Sequence, residues 1–227
     1  MTRTHLVTGA GSGIGAVLAE RLLERGDSLV LLARSPERAH DLRADLPEAT
    51  VLVADLADAS AVEAVADQLP AQLDSVVHAA GVVDLGPVGE LSTEAWQSQL
   101  AVNLIAPAIL TRLCLPAVRA ARGTIVFVNS GAGLVAHPQW SAYAASKFGL
   151  RALADSLRAE EQPSGVRVTT VYPGRTATPM QQKVHRQEGK DYDASAWIDP
   201  TTVADAILRV LDLPDDATLT ELAIRPR

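Results

Sequence analysis

Cysteine occurs once in the 227 residues, as Cys114. No disulfide can close within the chain, and a lone thiol in an apolar helical stretch is expected to be a buried, inert one. Positive charge is also scarce: 20 Lys and Arg against 27 Asp and Glu leave a net charge of −7. That balance argues against nucleic acid or an anionic membrane as the main partner. No apolar run is expected to reach the ~20 residues of a membrane span. The first apolar run follows Met1-Thr2-Arg3-Thr4 directly, without a secretory leader pattern, so a cytoplasmic location is the expectation. No metal site is expected.

What is present suits a globular protein: 48% hydrophobic and 21% charged residues. The length allows one large domain over 1–227. Short apolar runs alternate with helical patterns from end to end. Strands are expected at Leu6–Thr8, Ser28–Ala33, Thr50–Ala54, Ser75–Ala79, Thr124–Asn129, Val166–Tyr172 and Thr218–Ile224. Helices are expected between them, including roughly Ala59–Leu69, and a long one over about 93–120 broken or kinked at Pro107 and Pro116. Strict alternation predicts an α/β fold: a doubly wound parallel sheet of the Rossmann type, about seven strands, with helices on both faces. The polar stretch 175–199 is too long for an ordinary connection and reads as a lid over a site.

Two stretches carry chemistry. Glycines follow the first strand as Gly9-x-x-x-Gly13-x-Gly15 and open a helix. Glycine lets backbone approach a pyrophosphate, and a helix N-terminus favours the anion. Gly9, Ser12, Gly13, Ile14 and Gly15 are therefore candidate dinucleotide contacts. The second strand ends at Arg34-Ser35 with no acid. An acid there favours the free 2′-hydroxyl of NAD, whereas arginine accommodates the 2′-phosphate of NADP. Arg34 and Ser35, with Arg38 one turn on, point to NADP(H).

The second stretch runs from Ser130 to Lys147. Tyr143 and Lys147 stand four residues apart in Ala-rich, helix-favouring sequence, so they share a face. Ser130 ends an apolar strand run. A hydroxyl, a phenol and an ammonium converging on one point suit proton transfer to or from oxygen. An ammonium nearby lowers a phenol's pKa from its usual value near ~10.

Taken together, these stretches resemble the short-chain dehydrogenase/reductase family over nearly the whole chain. The likeness rests on Thr8-Gly9-x-x-x-Gly13-x-Gly15, Asp55-Leu56, Asn103, Ser130, Tyr143-x-x-x-Lys147 and Pro173-Gly174 with Thr178. It implies that Tyr143 is the general acid/base and that Ser130 holds the substrate oxygen. Lys147 would bond the nicotinamide ribose and lower the Tyr143 pKa, and Asn103 would position a water linking Lys147 to solvent. Asp55 and Leu56 would bracket the adenine. Ala80 and Gly81 would approach the cofactor, and Pro173, Gly174, Thr176 and Thr178 would contact the nicotinamide amide and diphosphate. The substrate would be a small carbonyl compound or alcohol, and the protein a homodimer or homotetramer paired through its long helices. Two positions depart from the family's habit: Ala79 stands where asparagine is common, and Gly131 follows Ser130 where a second serine is frequent. His78 lies within a strand pattern and reads as a satisfied sheet histidine. His137 could line the pocket. Trp140, Trp197, Tyr192 and Met180 hint at an apolar or aromatic carbonyl substrate. Two rival readings stay open: an NAD-linked dehydrogenase in which Arg34 is incidental, and an NADP(H)-binding sensor without catalysis.

Overall fold

The apolar strand runs are continuous because both faces of the sheet are covered. Successive residues of each strand enter opposite cores. Leu6, Val30, Leu32, Val76, Ile125 and Phe127 face one, while Val7, Leu29, Leu31, Val77, Val126 and Val128 face the other. This is the period-2 alternation of a pleated strand with no solvent face. The structure is a computed structural model and describes residues 2–227.

Seven strands form one sheet: β1 (Thr4–Thr8), β2 (Ser28–Ala33), β3 (Thr50–Val53), β4 (Ser75–His78), β5 (Thr124–Val128), β6 (Arg167–Pro173) and β7 (Glu221–Ile224). Their order is β3-β2-β1-β4-β5-β6-β7, and every pairing is parallel. One face is covered by α1 (Gly13–Glu24), α2 (Pro36–Asp45) and α8 (Pro200–Leu211), which supply Leu18, Leu22, Leu42 and Ile207. The other is covered by α3 (Ala59–Glu63), α5 (Ala106–Ala121) and α6 (Ser141–Glu161), which supply Val62, Leu110, Cys114 and Leu150. Two further helices, α4 (Thr93–Leu100) and α7 (Pro179–Gln187), stand near the carboxyl ends of the strands. The chain runs from β1 outward to β2 and β3 on one side, then crosses back to β4 on the other side of β1, so a topological switch point opens between β1 and β4.

Four local expectations are corrected. Helix α3 ends at Glu63, and the remainder of its expected span is a 3-10 turn, Ala66–Gln68. The long helix neither breaks at Pro107 nor at Pro116. A π-helical segment, Ala101–Ile105, widens the backbone just before Pro107 and so accommodates its ring and missing N–H while the helix runs on into α5. Pro116 continues inside α5 on its exposed side, where water can serve the carbonyl it releases. The last strand begins at Glu221 rather than Thr218. Finally, Thr93–Ala121 spans 29 residues and holds an 18-residue window of mean hydropathy 1.7, so one helix is long and apolar enough to cross a membrane by length and composition alone. Its Leu110, Cys114, Ala117 and Val118 are packed into the core against the sheet, and its Arg112 and Arg119 pair with Glu63 and Glu161.

His78 is the sheet histidine expected. Its Nε2 lies 2.9 Å from the Thr111 hydroxyl and its ring stacks on Phe127 at 5.0 Å. Burial holds it neutral and pushes its pKa from 6.5 down to about 3. The unfolded chain therefore takes up a proton that the folded chain refuses. Stability is whole above about pH 6.5 and is lost as pH falls toward about 3, by up to ~1.4 kcal/mol per pH unit. Between about pH 6 and 4 this amounts to roughly 2 kcal/mol. A His78→Gln variant, which can still bond Thr111, should show a shallower acid slope in denaturant titrations at several pH values. A slope equal to that of the wild type would refute this assignment.

Candidate active site

The carboxyl ends of β1 to β6 border a cleft of about 840 Å³. Gly9 ends β1 at φ +75°, a backbone setting that side chains other than glycine rarely adopt, and a Cβ there would stand 2.7 Å from the Ala80 backbone nitrogen. The same Ala80 N–H donates to the Thr8 hydroxyl at 3.1 Å, so the β1 and β4 loops are tied together at the switch point. A Cβ on Gly13 would meet the Thr178 methyl at 3.0 Å, which places the glycine loop directly against the turn after β6. The absence of side chains thus keeps space open at the N-terminus of α1, where an anion is favoured.

Across the cleft, β5 delivers Ser130, and the first turn of α6 delivers Tyr143. Tyr143 is 6% exposed and Lys147 3%. The i and i+4 spacing stacks them one turn apart, with the Lys147 Nζ 5.8 Å from the phenol ring centroid. Nζ donates to the Val128 carbonyl at 3.0 Å, which anchors the ammonium to the end of β5. Burial pushes the Tyr143 phenol up to about 12, against an opposing pull from the neighbouring Ser130 hydroxyl. Burial likewise pushes Lys147 down to about 8. The expected lowering of the phenol by Lys147 is not seen: desolvation dominates, only the Ser130 hydroxyl opposes it, and Tyr143 holds its proton at neutral pH.

A buried network supports this trio. Asn103, in the π-helical segment, accepts from the Val82 N–H at 2.8 Å and donates to the Val82 carbonyl at 2.9 Å and to Ser146 at 3.0 Å. Ser146 donates in turn to the Tyr143 carbonyl at 2.7 Å. Asn129 donates to the Lys147 carbonyl at 3.0 Å and accepts from the Ser130 N–H at 2.8 Å. The Asn103 amide oxygen and the Lys147 ammonium stand 3.3 and 3.9 Å from where a Cβ on Gly81 would lie.

At the far end of the cleft, Arg34 is exposed and has no ion pair among the described residues. Arg38 also borders it, but its charge is met by Asp41 at 2.9 Å. Over the cleft lies α7, capped by the Thr178 hydroxyl. Its Lys183 pairs with Asp84 at 2.6 Å, and its Gln187 accepts from the Leu85 N–H at 3.2 Å. Arg175 grips Glu188 with two hydrogen bonds, at 3.0 and 2.6 Å, and lies over the Trp197 ring.

The family described as short chain dehydrogenase matches residues 3–189. The chain belongs to the short-chain dehydrogenase/reductase family. It is 36% identical to the D-threitol dehydrogenase of Mycolicibacterium smegmatis, over 88% of this chain and 79% of that protein. It is 30% identical to an NADP-dependent 3-hydroxy acid dehydrogenase of Salmonella typhi, over 97% of this chain and 94% of that one. A short chain dehydrogenase from Escherichia coli CFT073, solved complexed with NADPH, superposes with a TM-score of 0.87 at 28% identity, covering 97% of this chain and 95% of that one.

In this short-chain dehydrogenase/reductase, the cleft gathers most of the candidates named from sequence: Gly9, Ser12, Gly13, Ile14, Arg34, Asp55, Leu56, Ala80, Gly81, Ser130, Tyr143, Lys147, Pro173, Gly174, Thr176 and Thr178. Three stand behind it. Gly15 packs against the Gly9 carbonyl, Ser35 caps α2 by accepting from the Arg38 N–H at 3.4 Å, and Asn103 braces Val82. His137, Trp140 and Met180 border the cleft, whereas Trp197 and Tyr192 pack around His185, with ring centroids 5.2 and 5.3 Å away. Sequence reading missed Asn129 and Ser146. Asn129 had a signal, a polar residue between the β5 apolar run and Ser130. Ser146 had none.

Proposed function

We propose that this protein is an NADP(H)-dependent oxidoreductase interconverting a carbonyl compound and a secondary alcohol. The observation that carries the proposal is the half-buried Ser130 beside buried Tyr143 and Lys147, at one end of a cleft whose other end carries Arg34, without an ion pair among the described residues. The bound dinucleotide supplies the hydride chemistry. Arg34 holds the 2′-phosphate, and Gly9, Ser12, Gly13 and Ile14 admit the pyrophosphate. Lys147, on its Val128 anchor, bonds the nicotinamide ribose. Ser130 donates to the substrate oxygen. Tyr143, protonated at neutral pH, gives that oxygen its proton in the direction of reduction. Asn103 positions the water route by which the phenol is reprotonated. The test is NADPH consumption over a panel of ketones and aldehydes, with Tyr143→Phe measured alongside. Absence of turnover on every compound by the wild type would remove the proposal.

The reading extends to a cytoplasmic homo-oligomer. Ile105 is 47% exposed and Phe148 42% exposed, on the outer sides of the two long helical stretches. The adjoining Leu104 and Gly149 pack together between them. Two such apolar faces meeting across a two-fold axis would bury what each leaves in water. A dimer or tetramer is expected by mass measurement in solution, shifted toward monomer by Phe148→Lys. A clean wild-type monomer at micromolar concentration would overturn it.

A further inference from the structure

Beside Tyr143 the cleft has an apolar wall. Val83, Ala132 and Val184 are buried against the phenol, with Trp140 and Met180 partly buried around them. The Trp140 ring meets the Tyr143 ring edge-on at 5.7 Å. An edge-on aromatic and a flexible thioether form a slot suited to an aryl or branched alkyl group.

The charged groups nearest this slot are already committed. Lys183 is paired with Asp84, and Arg175 with Glu188. Lys147 is bound to the Val128 carbonyl beneath Tyr143. Gln181 borders the cleft, but its amide is engaged by His185 at 2.9 Å. Ser98 adds only an uncharged hydroxyl, and His137 stands on the exposed outer loop. A substrate carboxylate placed in the slot would lose its water and gain no cation that is not already engaged. An unpaired buried charge is strongly disfavoured.

Resting on the reading of Tyr143 as the proton donor, we infer that the substrate is an uncharged carbonyl compound with an apolar aryl or branched alkyl substituent, gripped between Trp140 and Met180, and that compounds with a carboxylate beside the carbonyl are rejected. This sets the chain apart from the hydroxy acid chemistry that names one of its relatives. In the reduction, the carbonyl carbon accepts the hydride of NADPH and the oxygen accepts the Tyr143 proton. The products are the secondary alcohol and NADP⁺, and the phenolate regains its proton from solvent.

The experiment compares acetophenone with benzoylformate, which differ by a methyl group against a carboxylate on the same aryl ketone. Benzoylformate is the more electrophilic, so intrinsic reactivity alone would favour it. The purified wild type with NADPH should instead show a kcat/KM at least about tenfold higher for acetophenone. Trp140→Ala should raise the acetophenone KM roughly tenfold with a smaller change in kcat. Met180→Arg should shift the preference toward benzoylformate by about tenfold or more, because it adds the missing cation. A wild-type preference for benzoylformate would overturn the substrate class and leave hydride transfer standing. If neither ketone is reduced, hydride transfer is in question, and the substrate class is judged from calorimetric binding to Tyr143→Phe with NADP⁺. Equal or tighter binding of benzoylformate there overturns it, and tighter binding of acetophenone supports it.

Discussion

Tyr143→Phe is expected to lower turnover by about 10²- to 10⁴-fold, the usual worth of a positioned general acid. The substitution removes one oxygen from a side chain that is 6% exposed and packed by Val83, Ala132 and Val184. The ring, its edge-on contact with Trp140 and the volume of the pocket all remain. No hydrogen bond that holds the fold is lost, since the network around it runs through the Tyr143 backbone carbonyl and Ser146. Folding stability and NADPH affinity should therefore stay near wild-type values while kcat collapses. The pattern of the loss matters: kcat and kcat/KM should fall together, as for a group that acts in the transition state. A variant keeping more than about a tenth of wild-type turnover would show that the proton comes from elsewhere. One that loses NADPH binding as well would show that the phenol is structural.

Much of this site was legible from local sequence because its parts are local. Tyr143 and Lys147 lie on one helix, so their offset fixes their shared face. Gly9 must turn at positive φ, and few other residues can do so. The strands were legible because each is apolar on both faces. What escaped has a common cause: it depends on pairs distant along the chain. Asn103 and Ser146 meet across 43 residues, and His5 and Ser75 across 70. The latter pair is joined by Asp27 3.3 Å from His5, a Ser–His–Asp arrangement by residue type. His5 is 1% exposed and Ser75 0%, and neither borders the cleft, so the arrangement belongs to the amino-end packing of the sheet. The π-helical segment was equally hidden. Prolines at 107 and 116 signalled trouble in the helix, but only packing against α6 decides that the backbone widens before Pro107. The same holds for the aromatics after β6. Composition could not say that Trp197 turns toward Arg175 and His185 while Met180 faces Tyr143.

Cofactor choice gives the other large effect. NADPH is expected to bind about 10- to 100-fold more tightly than NADH, because a charge-assisted pair with the 2′-phosphate is worth about 1.5–3 kcal/mol. Arg34 carries this effect rather than Arg38. Both border the cleft, but Asp41 already neutralises Arg38, and no carboxylate meets Arg34 among the described residues. Arg34 is also exposed, so its preference should weaken as salt rises. The measurement is a thermal-shift titration with the two cofactors side by side. A ligand at ~100 times its dissociation constant adds about 2.7 kcal/mol to the stability of the folded state, which makes the comparison easy to read. Arg34→Asp should reverse the order: the carboxylate repels the 2′-phosphate and offers an acceptor to the free 2′-hydroxyl of NADH. Because Arg34 lies outside the core and makes no ion pair that the fold uses, the variant's melting temperature without cofactor should hardly move. Equal stabilisation of the wild type by both cofactors would make Arg34 a solvated bystander and turn the reading toward an NAD-linked enzyme. Stabilisation by neither would count against the glycine loop itself, since Gly9, Gly13 and Thr178 would then enclose a space that no dinucleotide enters.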